Sequence, residues 1–284
     1  MIAVTGANGN LGQLVIRELL RVIPATQIVA AVRSPEKADD LRALGVKVRE
    51  ADYDHPETLE AAFRGVEKLL LISAVQPGER FRQHKAVIDF AKQAGVRLIA
   101  YTSMLRTDTS RLILAEEHKA TEDYLKKSGM EFVMLRNGWY IENHTGMLSL
   151  ALANEFIIGS AGQGRFASAS RADYAAAASV VLTQPGHVNK VYELAGDHSY
   201  SMYEFAEEVS RYASRKIPYN NLLPAEYEDQ LLSFGVPKMV VDVVIDADMK
   251  SMTGELDSSS RDLSNLIGRN TTPLSDAIKL VIQA

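Results

Sequence analysis

The chain of 284 residues contains no cysteine. That excludes disulfides, thiolate metal sites and a cysteine nucleophile, and it fits a reducing compartment. Long hydrophobic runs are missing too. The most apolar stretch, Met239 to Ile245, is interrupted by Asp242 and closed by Asp246, well short of a bilayer span. Positive charge is in deficit, with 31 Lys and Arg against 36 Asp and Glu and a formal net charge of -5. This removes the electrostatic basis for a nucleic-acid or membrane partner. No His, Asp and Glu spacing suggests a metal, and no Gly-x-Ser-x-Gly elbow suggests a hydrolase. A core strand starts at Ile2, which leaves no room for a signal peptide ahead of it. These absences predict a soluble, cytoplasmic protein, and leave monomer or homodimer open.

The most informative feature present is a short apolar strand, Ile2-Ala3-Val4-Thr5, running into Gly6-Ala7-Asn8-Gly9-Asn10-Leu11-Gly12 and then an amphipathic helix. Strand, glycine turn and helix form a phosphate-binding device. One Gly permits the tight turn, the next lets the backbone approach a pyrophosphate, and the third lets helix and strand pack closely. The helix N-terminus then offers free N–H groups and a positive dipole end to the anion. The spacing is Gly-x-x-Gly-x-x-Gly rather than Gly-x-Gly-x-x-Gly.

Apolar, β-branched runs recur at Ile2–Thr5, Ile28–Val32, Val46–Arg49, Lys68–Ile72, Leu98–Thr102, Phe132–Leu135 and Val191–Leu194. Most are continuous rather than alternating, as in parallel strands covered on both faces. Between them, Ser34-Pro35 and His55-Pro56-Glu57 read as helix starts, and Gly45, Gly65, Gly95 and Gly129 as left-handed helix ends. The pattern predicts an α/β fold, a Rossmann-like doubly wound parallel sheet. After Arg136 the rhythm changes. Residues 1–140 with 165–197 are expected to form the dinucleotide-binding domain, and 141–164 with 198–284 a smaller, mostly helical substrate lobe. Polar Asp248–Ser260 is expected to be the most mobile segment.

In such folds an acid at the end of the second strand reads a free ribose 2′-hydroxyl, whereas an arginine pairs with a 2′-phosphate. This strand ends in Val32-Arg33, with no acid, so NADP(H) is the expected cofactor; a solvated surface arginine would look the same. Asp52 after the third strand fits either an adenine contact or an Asx turn. Ser73-Ala74 and Thr102-Ser103 end the fourth and fifth strands, where the ligand crevice lies, and are expected to line the nicotinamide path. Asn137, Trp139, Tyr140 and Glu142 surround the loop after the sixth strand. Trp139 and Tyr140 form either a flat wall for a planar ring or a piece of core. Asn137 and Glu142 are placed to fix a carboxamide or the substrate. Arg171, in a first helical turn that its charge disfavours, is placed to reach a cofactor phosphate. His84, His144 and His187 are isolated and read as surface positions.

These residues resemble the NmrA-like branch of the atypical short-chain dehydrogenase/reductases. The signature is Val4-Thr5-Gly6 through Gly12, Val32-Arg33, Asp52-Tyr53, Tyr101-Thr102-Ser103 and Leu135-Arg136-Asn137-Gly138-Trp139-Tyr140. Within that branch the chain is most similar to bacterial NAD(P)H:quinone oxidoreductases related to triphenylmethane dye reductases. The resemblance implies an NADPH-binding fold, a cleft between lobes, and direct hydride transfer to quinones, dyes or related electrophiles without flavin. A non-enzymatic, NADP-binding redox sensor of the NmrA type is the alternative it leaves open.

One departure bears on mechanism. Typical short-chain dehydrogenases carry Tyr-x-x-x-Lys on the helix after the fifth strand. Here, anchored on Glu122, Leu114 falls at the Tyr position and His118 at the Lys position, with Lys119 turned about 100° away. Carbonyl–alcohol interconversion by Tyr and Lys is therefore not expected. His118 and Tyr140 are the candidate catalytic residues. His118 would donate a proton or bond the cofactor ribose, against a plain reading as a solvated histidine beside Glu116, Glu117 and Glu122.

Overall fold

The protein is described by a computed structural model covering residues 1–76 and 78–283. Its eleven described strands are β1 (Ile2–Thr5), β2 (Ile28–Val32), β3 (Lys47–Glu50), β4 (Lys68–Leu71), β5 (Leu98–Met104), β6 (Glu131–Asn137), β7 (Ile157–Gly159), β8 (Arg165–Phe166), β9 (Lys190–Leu194), β10 (Tyr200–Ser201) and β11 (Tyr219–Asn221). Seven of them form one sheet in the order β3-β2-β1-β4-β5-β6-β9. Every pairing among the first six is parallel, and Ile2 lies opposite both Ile28 and Lys68. Strand order reverses between β1 and β4, the switch point outside whose carboxyl ends ligands bind in doubly wound sheets.

The chain divides into two compact units. The first comprises Met1–Thr107, Glu116–Asn137 and Arg171–Glu193; the second comprises Asp108–Ala115, Gly138–Ser170 and Leu194–Ala284. Asp108–Ala115 groups with the second unit, a detour for which the sequence carries no signal.

In the first unit β2 is buried along its whole length, and β3, at the sheet edge, is the partly exposed Lys-Val-Arg-Glu. One face of the sheet presents Ala3, Val29, Leu69, Leu71, Ile99, Tyr101 and Met134 to Leu59 and Phe63 of helix Glu57–Phe63 and to Val87 and Ile88 of helix Arg80–Gln93. Elsewhere in this unit, helix Asn10–Leu20 packs on the alanine-rich helix Arg171–Thr183, whose small side chains let the two backbones approach. The four glycines expected to end helices have φ between +72° and +78°.

The second unit is mainly helical. Its strands pair as an antiparallel β10–β8 and a parallel β11–β7, two or three residues each, too short for sequence periodicity to register. Segment Asp248–Ser260, expected to be mobile, is instead built into the unit. Helix Lys238–Ser251 runs through its first residues, and Asp248 Oδ2 accepts the Ser160 amide at 2.8 Å. Glu255 receives Arg111 Nε at 2.8 Å, and buried Leu256 accepts the Ala167 amide. Its polar residues serve as cross-links, which composition alone cannot distinguish from solvation. No described helix is long and apolar enough to cross a membrane.

Candidate functional site

β1 ends at Thr5, whose hydroxyl donates to Leu70 O and accepts the Ile72 amide, locking β1 to β4 where the crevice opens. Gly6 then turns with φ +58°, and Gly9 N–H closes the turn on Gly6 O at 2.9 Å. A Cβ on Gly12 would lie 2.4 Å from Gly6 O and 2.7 Å from Ala7 Cα, so only glycine fits there. Gly9 caps helix Asn10–Leu20 without a side-chain cap bond, and no acid occupies the first turn. The first amides of that helix are consequently open to an anion, and nothing opposes its dipole.

Next to this turn, still within the first unit, the ends of β2, β3 and β4 enclose a cavity of about 440 Å³. Gly6, Asn8, Gly9, Arg33, Asp52, Ser73 and Ala74, all expected at the cofactor site, line it together. Asn10, Leu11 and Gly12 lie behind them in the helix start, with Leu11 and Gly12 buried. Arg33 is exposed and has no ion-pair partner among the described residues. Lys37 joins it on the same wall, a cation that sequence reasoning missed. Its only signal was Ser34-Pro35, which starts the 3-10 turn Pro35–Lys37 and brings the lysine back beside Arg33. Asp52 meets both of its readings: it lines the cavity, and its Oδ1 accepts the Asp54 amide in an Asx turn.

The β4 end is held by side chains from below. Thr102 Oγ1 accepts the Ser73 amide at 2.8 Å, which buries Thr102 and leaves Ser73 on the cavity wall. Ala74 N–H donates to His84 Nε2 at 2.9 Å, while Arg80 Nε donates to Ala74 O at 2.8 Å. His84 Nε2 is thus an acceptor, so its proton sits on Nδ1 and points to Thr121 Oγ1, which donates onward to Glu117 O. Burial, then the Arg80 charge, pushes His84 down to about 3, in keeping with a neutral ring. His84 is therefore fully buried and not a surface position. Isolation in sequence hid it, because its partners come from β4, β5 and the following helix. His187 is half-buried, in keeping with a surface position, with its Nδ1 2.7 Å from Tyr192 Oη.

His118 is buried as well, its Nδ1 2.7 Å from Oη of fully buried Tyr101. Burial, then Arg80 and His84, holds it well below the usual histidine value, so it is neutral. That corrects the solvated reading. Lys119, one residue on, is exposed, and Leu114 lies in a turn just ahead of helix Ala115–Lys127. Ser103, expected at the cofactor, spends its hydroxyl on Glu122 Oε1 at 2.6 Å. Glu122 takes a two-pronged pair from Arg136 at 2.9 and 2.7 Å, and Arg136 reaches Glu193 at 2.8 Å. Burial by itself would raise the Glu122 carboxyl, but the Arg136 and Ser103 hydrogen bonds outweigh it and hold it low. Asn137 ends β6, buried, and Arg171 opens helix Arg171–Thr183 in the same unit.

Trp139, Tyr140 and Glu142 belong to the second unit, where Tyr140 bridges to Ala169 and Glu142 stands on helix Ile141–Thr145. That unit has its own apolar cavity of about 300 Å³, lined among others by Trp139, His144, Met147, Phe205, Val244 and Asp248. His144, expected at the surface, packs edge-on against Phe166 and Phe205 and sits 2.8 Å from Tyr200 Oη. Burial lowers it to about 4. Aromatic neighbours from β8, β10 and helix Met202–Ala213 enclose it, none adjacent in sequence.

Residues 6–185 match a family model described as NAD(P)H-binding. The chain is 48% identical over 278 residues to quinone oxidoreductase 2 of Escherichia coli, covering 98% of this chain and 97% of that one. It superimposes on the crystal structure of an NADPH-dependent quinone oxidoreductase of Escherichia coli complexed with NADPH, with a TM-score of 0.95 and 47% identity over 99% of each chain. Citrobacter sp. triphenylmethane reductase complexed with NADP(H) matches with a TM-score of 0.94 and 37% identity, over 99% of this chain and 100% of that one.

Proposed function

The chain belongs to the NAD(P)H-binding, NmrA-like family, and from that premise we propose that it is an NADPH-dependent quinone reductase working by direct hydride transfer without flavin. Triphenylmethane dyes and related planar electrophiles are further acceptors on this reading. Near one-half identity to a quinone oxidoreductase over almost the full length is the observation that carries it.

The first unit fits the cofactor. The Gly12 position has no room for a side chain, the helix behind Gly9 has no side-chain cap, and two cations without ion-pair partners among the described residues share one wall of the crevice. On our assignment Gly6, Asn8, Gly9, Asn10, Leu11 and Gly12 hold the pyrophosphate. Arg33, with Lys37, pairs with the 2′-phosphate, and Asp52 faces the adenine. Ser73, Ala74, Thr102 and Ser103 border the nicotinamide path, the last through backbone because its hydroxyl is engaged. Asn137 and Glu142 orient the carboxamide or substrate, and Arg171 takes a phosphate. When bound, NADPH supplies a hydride from nicotinamide C4; the quinone gains that hydride and one proton to become a hydroquinone.

Little acid–base work is asked of the protein, since positioning supplies most of the rate. A neutral His118 with Nδ1 turned to Tyr101 has no imidazolium proton to give near neutrality. We therefore assign it to holding the cofactor ribose through Nε2. Tyr140, beside Trp139, supplies a flat wall for the acceptor ring, and its phenol is our candidate proton donor. Purified protein should oxidise NADPH in the presence of benzoquinones, naphthoquinones or dyes while holding no flavin. No turnover across that panel, with equal affinity for NADP⁺ and NADPH, would replace this reading by the sensor.

A further inference from the structure

The cavity of the second unit is walled by Met147, Phe205 and Val244 among other apolar side chains, and neither Lys nor Arg lines it. Its ionisable groups are few. His144 is neutral, Tyr227 is a phenol raised by burial, and Asp248 is an almost fully buried carboxyl. Asp248 accepts the Ser160 amide, and the neutral Tyr219 and Tyr227 phenols lie close enough for its charge to raise them further. Trp139 contributes a further polar atom. Its indole N–H is buried and has no hydrogen-bond acceptor among the described residues, a deficit that costs about 1–3 kcal/mol unless something fills it. A largely apolar pocket with the Asn143 amide, one unsatisfied donor, one carboxyl and no cation has a definite ligand preference. It suits a neutral planar ring bearing a carbonyl, and it penalises an anion, which would lose its hydration with no counter-charge in return.

We propose that this cavity is the acceptor-ring site, taking small, neutral, carbonyl-bearing aromatic rings with Trp139 Nε1–H donating to a carbonyl oxygen, and that Asp248 makes it reject anionic quinones. This rests on the quinone-reductase reading and adds the charge class of the substrate and the residue that sets it. The cavity lies at the small end of ligand sites, so one or two fused rings fill it.

Trp139 is the sole tryptophan, so its fluorescence reports this cavity directly, whether or not turnover occurs. The full chain is titrated with 1,4-naphthoquinone and with its 2-sulfonate. The neutral quinone should quench saturably, and the sulfonate should bind roughly thirtyfold more weakly or worse. Val244→Phe, which fills the cavity, should weaken the neutral quinone about tenfold or more. NADPH binding, followed by the cofactor's own emission, should stay unchanged. Ala151→Leu fills a second wall of the same cavity and decides the matter if Val244→Phe fails to fold. Asp248→Asn should shrink the gap between the quinone and its sulfonate about fivefold or more. Equal affinities for the two quinones, or undiminished saturable quenching in a folded cavity-filling variant, would overturn the proposal. The two readings fail differently. Saturable Trp139 quenching without turnover keeps the cavity and rejects the activity, whereas turnover without quenching rejects the cavity and keeps the activity.

Discussion

The two cavities recognise by opposite means. In the first unit, backbone at Gly6 and Gly9, an uncapped helix start and the exposed cations Arg33 and Lys37 surround the space. In the second, apolar side chains enclose a space holding one carboxyl and no cation. An anion bound by backbone amides needs a few adjacent residues in a fixed conformation, so that site is written in one short segment. A shape-selective apolar site draws on residues from Trp139 to Asp248, and no local pattern announces it.

The contrast can be tested at its sharpest point first. Gly12→Val should abolish cofactor binding, because its Cβ would overlap Gly6 O and Ala7 Cα, both backbone and unable to give way. A loss of more than about 3 kcal/mol, at least a hundredfold in NADPH affinity by titration, is expected. If this variant binds NADPH normally, the backbone account of the first cavity is wrong.

The second cavity should show itself through pH. Burial raises Asp248 to about 7, with the Ser160 amide opposing. Its carboxyl titrates in the usual acidic range when unfolded, so the folded state binds the proton more tightly. The stabilisation is complete below the unfolded value and is lost as pH rises through about 7. That loss is on the order of 4 kcal/mol. The melting temperature of the native chain should therefore fall across this window relative to Asp248→Asn, whose side chain cannot ionise. Parallel melting curves for the two proteins would show that Asp248 is solvated when ionised and that the cavity is wet.

The smallest effect concerns Arg33. Removing one charge-assisted contact to the 2′-phosphate should cost about 2 kcal/mol, roughly thirtyfold in the NADPH-over-NADH ratio of kcat/KM. NADH turnover should hardly change. Arg33→Ala with Lys37→Ala should remove the preference further. An unchanged ratio in the double variant would place the 2′-phosphate elsewhere.

The fold was largely legible because β1, β2, β4, β5 and β6 are largely apolar runs set among helices that end in glycine. Those features are local and reflect burial on both faces. The short strands β7, β8, β10 and β11 were not, since two or three residues carry no period. The need for glycine at 159 was not legible either. At Gly159 a Cβ would meet Tyr219 Oη at 2.8 Å and Asp248 Oδ2 at 2.9 Å, both distant in sequence. His84 shows the same limit in the first unit. A histidine amid a polar helix reads as solvated until the fold puts the Ala74 amide against its Nε2.

The sequence by itself determined the doubly wound sheet, the glycine turn and the arginine at the end of β2, because each depends on neighbours within a few residues. Tertiary structure alone decided that Lys37 joins Arg33, that His84 and His118 are buried and neutral, and that Asp248 is a buried acid in an apolar cavity. The physical reason is that charge state and ligand preference follow from desolvation and from partners far along the chain, and both exist only once the chain has folded.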